Sequence, residues 1–141
     1  MSGRTEHHGE AGRFAAEILR SRVWTDQAAA MHAEVAREVT RAGFDVEFEV
    51  WAPFADYGRA GRIDLLAGHG RGLVAIELDA RRPRLGSIRK LLTFQAYRII
   101  GLRGVELEHE IFGIDEVVGM NVRCPSLAQA TEKRSVNRFA A

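Results

Sequence analysis

The sequence predicts a single α/β domain in which helices flank a mixed central sheet. Near residue 44 the spacing of apolar residues changes from a helical period to a period of two. Several short strand-like segments follow, interrupted by one short helix. The chain has 141 residues, 46% hydrophobic and 28% charged, which suits one core. We expect the domain to span residues 13–124.

The N-terminal region predicts two helices after a leader. Residues 1–12 are polar and aperiodic, so we expect them to be disordered. Residues 14–23 predict a short helix. Thr25 is a suitable N-cap for a second helix that ends at Gly43. Its apolar face is formed by Ala28, Met31, Val35, Val39 and Ala42.

The middle of the chain predicts three strands. From Phe44 to Val50 apolar residues alternate with acidic ones, as in a half-buried strand. Residues 52–60 predict a loop. Residues 62–67 and 73–79 are two apolar strands, and the glycine-rich segment 68–72 between them favours a hairpin.

The remainder predicts a helix and at least one strand. Ser87 can cap a short helix whose inner side is formed by Ile88, Leu91, Leu92 and Gln95. Residues 97–102 are rich in strand formers. Residues 106–111 and 117–122 could add a strand or helix pair, and residues 125–141 predict a loosely ordered tail.

Composition excludes several classes of function. Cys124 is the only cysteine, so neither an intramolecular disulfide nor a cysteine-based zinc site can form. There is no apolar run of membrane-spanning length and no signal-peptide core, so we expect a cytoplasmic protein without membrane contact. The net charge of +1 means that any binding of nucleic acid must depend on where the charges lie.

Acidic residues interrupt the two strands of the predicted hairpin. Asp64 lies among Ile63, Leu65 and Leu66, where a charge needs compensation. Glu77 and Asp79 share a face of the next strand, and a turn near residue 70 pairs position 64 with about position 77. Carboxylates gathered in this way favour a divalent cation, and an all-oxygen ligand set suits Mg²⁺ or Mn²⁺.

These residues also resemble a known pair of motifs. The segment Gly61-Arg62-Ile63-Asp64, followed after twelve residues by Glu77 and then Leu78-Asp79, resembles motifs II and III of the PD-(D/E)XK nuclease superfamily. That superfamily includes restriction endonucleases and archaeal Holliday-junction resolvases. The predicted element order over residues 25 to 103 is similar to its restriction-endonuclease-like αβββαβ core.

The resemblance implies metal-binding roles for Asp64 and Glu77. An acidic residue of the first core helix often completes the metal site in the superfamily, and Glu34 or Glu38 could match it. By default His32 and Glu34 are instead a surface pair on that helix. Gln95 and Tyr97 resemble, loosely, residues that follow the lysine motif in some exonuclease-like members.

The chain departs from the superfamily at position 79, where the usual lysine is replaced by aspartate. Three explanations are open. Asp79 could bind metal or position the attacking water, as acidic residues do in some members of the superfamily. Lys90 could supply the ammonium, although helical spacing places it nearly opposite the apolar stripe of its helix. Catalysis could also be lost while DNA binding is kept.

Basic and aromatic residues surround these acids in sequence. Five basic residues fall within ten positions, which favours contacts with phosphates: Arg81, Arg82, Arg84, Arg89 and Lys90. Trp51, Phe54 and Tyr57 could stack on bases, although packing is the more common use of such residues.

The sequence therefore predicts a Mg²⁺- or Mn²⁺-dependent DNA nuclease of phage, mobile-element or DNA-repair type. Asp64, Glu77, Asp79 and Lys90 are its candidate catalytic residues. The alternatives are a nuclease-like DNA-binding or assembly module without catalysis, and a small interaction domain with surface acids. The sequence leaves the oligomeric state open; a homodimer is one option, because small domains that cut both strands often act in pairs.

Overall fold

The structure is a computed structural model that describes residues 2–52, 61–104 and 110–123. Within those ranges the chain forms three helices and six strands. The elements are α1 (Ser2–Ser21), β1 (Val23–Trp24), α2 (Ala28–Arg41), β2 (Asp45–Trp51), β3 (Arg62–His69), β4 (Gly72–Ala80), α3 (Leu85–Leu91), β5 (Tyr97–Arg103) and β6 (Glu116–Val122). Phe54, Tyr57, Cys124 and the predicted tail lie outside the described residues.

The strands form one mixed sheet in the order β1-β6-β5-β4-β3-β2. Strands β2, β3 and β4 pair antiparallel, whereas β4, β5, β6 and β1 are mutually parallel neighbours. The predicted hairpin is confirmed, because Leu65 pairs with Ile76 and His69 with Gly72. The α/β class and the mixed sheet predicted from the sequence are thus confirmed.

Helix α1 corrects the prediction of a leader at residues 1–12, because the helix begins at Ser2. Its inner face has many small side chains, with Ala11, Ala15 and Ala16 buried together with Leu19. Alanines give little hydrophobic periodicity, yet they let a helix lie very close to a sheet. This helix contacts β4, β5 and β6.

The start of α2 also differs from the prediction. The helix begins at Ala28 with Gln27 as its N-cap, and Thr25 lies outside it. Met31, Val35 and Val39 are buried as predicted, whereas Ala28 is exposed. Likewise Ser87 does not cap α3: that helix begins at Leu85 with Arg84 as its N-cap.

Two apolar cores lie on opposite faces of the sheet. Helices α1 and α2 cover one core, which includes Leu65 and Ile76. Helix α3 covers the other, which includes Ile63 and Ala75. Because Ile63 and Leu65 are two residues apart but belong to different cores, β3 breaks its alternation at Asp64. Across from it, Glu49 has a φ of 49° between the pairs Phe48–Leu65 and Val50–Ile63.

Nothing in the described ranges is both long and apolar enough to form a membrane-crossing helix.

The close approach of α1 to the sheet gives a first prediction. At Gly72 an added Cβ would lie 2.5 Å from Cβ of Ala11 and would overlap the backbone of His7. We expect Gly72→Ala to lower the free energy of unfolding by about 1–3 kcal/mol, measured by urea denaturation. The control is Gly86→Ala, because nothing lies within 4 Å of a Cβ at that position. Equal stability of the two variants would contradict the tight packing of α1.

Candidate functional site

Asp64 lies at the break in β3 and turns toward β4. The pairing of β3 with β4 reaches Leu65 and Ile76, one position before Asp64 and Glu77, and the charge of Asp64 acts on Glu77. Its Oδ2 accepts a hydrogen bond from the backbone N–H of Leu78 at 2.7 Å. His32 of α2 lies on its other side, with Nε2 3.8 Å from the same oxygen. Asp64 is therefore held between the sheet and α2, with part of its side chain accessible to solvent.

Glu77 is deeply buried, with only 1% of its surface exposed. Nζ of Lys90 lies 3.0 Å from its Oε1. This ion pair is poorly aligned as a hydrogen bond, and among the described residues no other donor faces Oε1. Burial and, next, the negative charge of Asp64 raise the pKa of Glu77 to about 7, against the opposing effect of Lys90. A second cation near Glu77 would relieve this destabilisation.

Asp79 is buried as well, but its oxygens are already occupied. Its Oδ2 accepts the backbone N–H of Arg84 at 2.9 Å. Its Oδ1 accepts the hydroxyl of Ser87 at 2.8 Å and Nε of Arg84 at 3.3 Å. These three donors come from the N-cap and the first turn of α3. Asp79 therefore anchors α3 to the end of β4, which leaves it poorly placed to bind a metal.

Ser87 links the two buried acids, since its Oγ also lies 3.3 Å from Oε2 of Glu77. A hydroxyl has one proton to donate, and the shorter contact goes to Asp79. The carboxylate form of Glu77 is thus weakly satisfied at both oxygens, in keeping with its raised pKa.

Lys90 reaches the site despite the expectation from helical spacing. Leu91 of the predicted inner stripe is buried, while Leu92 is 42% exposed. The side chain of Lys90 extends over β3, and its Nζ donates to the carbonyl oxygen of Arg62 at 2.9 Å. Its stem crosses Gly61, where an added Cβ would lie 2.6 Å from Cδ of Lys90. The stem of Lys90 therefore packs on the backbone of Gly61.

The structure does not bring Glu34 or Glu38 to the site. Glu34 accepts the backbone N–H of Thr25 at 2.8 Å and an N–H of Arg123 at 2.5 Å. Glu38 pairs with Arg22 and Arg41. Both acids line a separate hollow beside β1. The prediction of Glu34 as a metal ligand is therefore not supported by its position.

A cleft of about 670 Å³ opens above Asp64 and Asp79. Three of the predicted phosphate-binding residues line it, namely Arg81, Arg82 and Arg84, whereas the exposed Arg89 does not. Two further lining residues, His32 and Arg103, were missed by the sequence analysis.

A signal for each of the missed residues is present in the sequence. His32 borders the buried stripe of α2, between Met31 and Val35. Arg103 ends a strand parallel to β4, and the carboxyl ends of parallel strands meet at one edge of a sheet. Sequence spacing could therefore have placed Arg103 at the sheet edge that carries Asp79, whereas for His32 it indicates only a position beside the buried face of α2.

The remaining candidates lie elsewhere. Trp51 is 53% exposed and packs against the guanidinium of Arg62, whose Cζ is 4.2 Å from the ring centre. Gln95 and Tyr97 line another hollow, where the hydroxyl of Tyr97 donates to Glu116 at 2.8 Å. Their positions fit structural roles.

In the part of the chain that the structure describes, no three His, Cys, Asp or Glu side chains are grouped so as to hold an ion by themselves. Any cation bound between Asp64 and Glu77 would need further ligands from water or a phosphate. Mg²⁺ is commonly bound in that way, through one or two carboxylates together with substrate phosphates.

Comparison of the chain with protein-family models, curated proteins and solved structures gives no match.

Proposed function

We propose that this protein is a metal-dependent DNA nuclease with a restriction-endonuclease-like core. One observation carries the proposal. A buried glutamate with a raised pKa lies beside a lysine and a second acid, Asp64, and Asp64 lines a cleft together with four arginines. An acid with a perturbed pKa beside a specific charged partner and a cleft is a candidate catalytic residue.

The order of the elements supports the same proposal. From α2 to β5 the chain runs helix, three strands, helix, strand. Asp64 and Glu77 lie on adjacent strands of the hairpin, as the resemblance to the PD-(D/E)XK superfamily implies. DNA as substrate, Mg²⁺ or Mn²⁺ as cofactor and a homodimer as the active form belong to this proposal.

Asp64 and Glu77 would hold the cation. When bound, it would supply Lewis acidity toward a phosphate oxygen and lower the pKa of a bound water. Glu77 must give up its proton to bind a cation, so binding is expected to strengthen as the pH rises toward and beyond 7. Lys90, held by the carbonyl of Arg62, would orient the attacking water, and the arginines would hold the neighbouring phosphates.

The test is cleavage of supercoiled plasmid and of circular single-stranded DNA by the purified protein. We expect cleavage with Mg²⁺ or Mn²⁺, none with EDTA, and none by Asp64→Asn under any condition. The matched control is Asp45→Asn, an exposed change at the far end of β2. Cleavage by Asp64→Asn at the wild-type rate would refute the proposed site.

A second candidate is a DNA-binding module that has lost catalysis. The ion pair between Lys90 and Glu77 favours it, because the lysine partly neutralises the glutamate without a metal. This candidate predicts that the protein binds DNA but leaves both substrates intact with either cation.

The contact between Gly61 and the stem of Lys90 provides a further prediction. In Gly61→Ala the new methyl group would push against the stem of Lys90. We expect cleavage to slow by roughly tenfold or more, because small misplacements of a catalytic group are costly. The free energy of unfolding should change by less than about 1 kcal/mol, since Gly61 lies outside both cores. An unchanged cleavage rate would show that the position of Lys90 does not matter for the reaction.

A further inference from the structure

The cleft above Asp64 has two walls built from different parts of the chain. One wall is the connection between β4 and α3, with Arg81 and Arg82. The other is formed by the first turns of α2, with His32, and by Arg103 at the end of β5. Asp64 lines the same cleft, so a ligand bound between the walls can reach it.

The charges on the walls are arranged for a phosphate chain. Arg84 pairs with Asp79, and Nε of Arg103 lies 3.7 Å from Asp26. Within the described residues Arg81 and Arg82 form no ion pair, and both are exposed. Two arginines side by side at the rim can follow consecutive phosphates of one backbone.

The opposite wall of the cleft exposes an imidazole ring on which a base can stack. The side chain of His32 is 35% exposed, and its imidazole borders the cleft. Aromatic and imidazole rings bind splayed bases by stacking, an interaction that tolerates any sequence. Together, the walls present phosphate contacts on one side and a stacking surface on the other.

The size of the cleft limits what can enter. Its volume of about 670 Å³ is within the range of sites for small molecules. A volume of this order holds a nucleotide or two, and a base can stack on His32 only where it is unpaired. The cleft therefore favours a short length of one strand over paired strands.

We propose that the cleft binds a single strand of DNA, with the phosphates on Arg81 and Arg82 and a base on His32. This inference rests on the proposed function and names the substrate class of the same site. Duplex DNA would be bound only where its strands separate, at frayed ends, flaps or unwound segments.

The test measures binding of fluorescein-labelled DNA to the full chain by fluorescence anisotropy. EDTA is present so that no cleavage occurs. The probes are a single-stranded 12-mer of mixed sequence and its blunt duplex. We expect the single strand to bind at least about tenfold more tightly. His32→Ala and Arg82→Ala should each weaken its binding by roughly fivefold or more.

The control variant is Arg71→Ala. Arg71 is also exposed, but it lies in the turn between β3 and β4 and lines a different hollow. Arg71→Ala removes one positive charge outside the cleft, so the affinity for the single strand should change by less than about twofold. Urea denaturation of each variant identifies any loss that comes from misfolding.

The inference is overturned if the duplex binds as tightly as the single strand, or if His32→Ala and Arg82→Ala bind like the wild type. Failure of the proposed nuclease function can be told apart from failure of this inference. A protein that prefers the single strand but never cleaves would defeat the catalytic assignment alone. A protein that cleaves yet prefers duplex would defeat this inference alone.

Discussion

Glu77→Gln is expected to stabilise the metal-free protein and to abolish cleavage. The pKa of Glu77 is raised from 4.5 to about 7 in the folded state. Between these values the folded protein binds more protons than the unfolded chain, so stability falls as the pH rises. The penalty is absent below pH 4.5 and complete above pH 7. At pH 8 the variant should be more stable by about 2–3 kcal/mol, discounted from the full shift because Lys90 loses its partner.

Urea denaturation in EDTA from pH 4 to pH 8 measures this effect, and the cleavage assay is run on the same samples. Glu47→Gln is the control, since Glu47 is exposed on β2 and should show neither effect. A variant that is less stable than the wild type at pH 8 would mean that Glu77 serves the fold. A gain in stability with a loss of activity is the signature of a functional acid.

Lys90→Met and Asp79→Asn are expected to fail in different ways. Lys90 contacts Glu77 and lies over β3, so its loss should slow cleavage by about 10²–10³-fold. Stability measured at pH 6, where Glu77 is largely protonated, should change little. Asp79 accepts three hydrogen bonds that fix the start of α3. Asp79→Asn should lower the free energy of unfolding by about 1–3 kcal/mol and slow cleavage to a smaller extent.

Single-turnover cleavage rates and urea midpoints separate the two roles. Lys90→Arg should slow cleavage as well, because a planar guanidinium cannot replace a compact ammonium above Gly61. If Asp79→Asn gave the larger rate loss with an unchanged midpoint, Asp79 would be the group that positions water. If neither variant slowed cleavage, both residues would be removed from the mechanism.

The strands were predictable because their signal is local. Alternation from Phe44 to Val50 and the glycine-rich turn define β2, β3 and β4, and the turn also fixes which acids face each other. Of helix α1 only the end was predicted, as a helix over residues 14–23; its beginning was missed because the buried face is largely alanine and the first turns are polar. Strand β1, with two residues, is too short to show a period.

The site was predictable only in part, for reasons of helix docking. Spacing along α2 could not tell whether Glu34 or His32 faces Asp64, because that depends on how the helix lies on the sheet. For Lys90, the helical spacing in α3 predicted a side chain directed away from the site, and that prediction was wrong. A long side chain can bend around a helix and reach across a neighbouring glycine, which no pattern of apolar residues records.

The position of α1 has a consequence for how the chain folds during synthesis. The helix is translated before the strands that it covers, since β4 to β6 are completed about 60 to 100 residues later. Until then its apolar face lacks the sheet that covers it, and β1 waits equally long for β6. Contacts so distant in sequence slow folding, so we expect the emerging chain to depend on chaperones until β6 has been made.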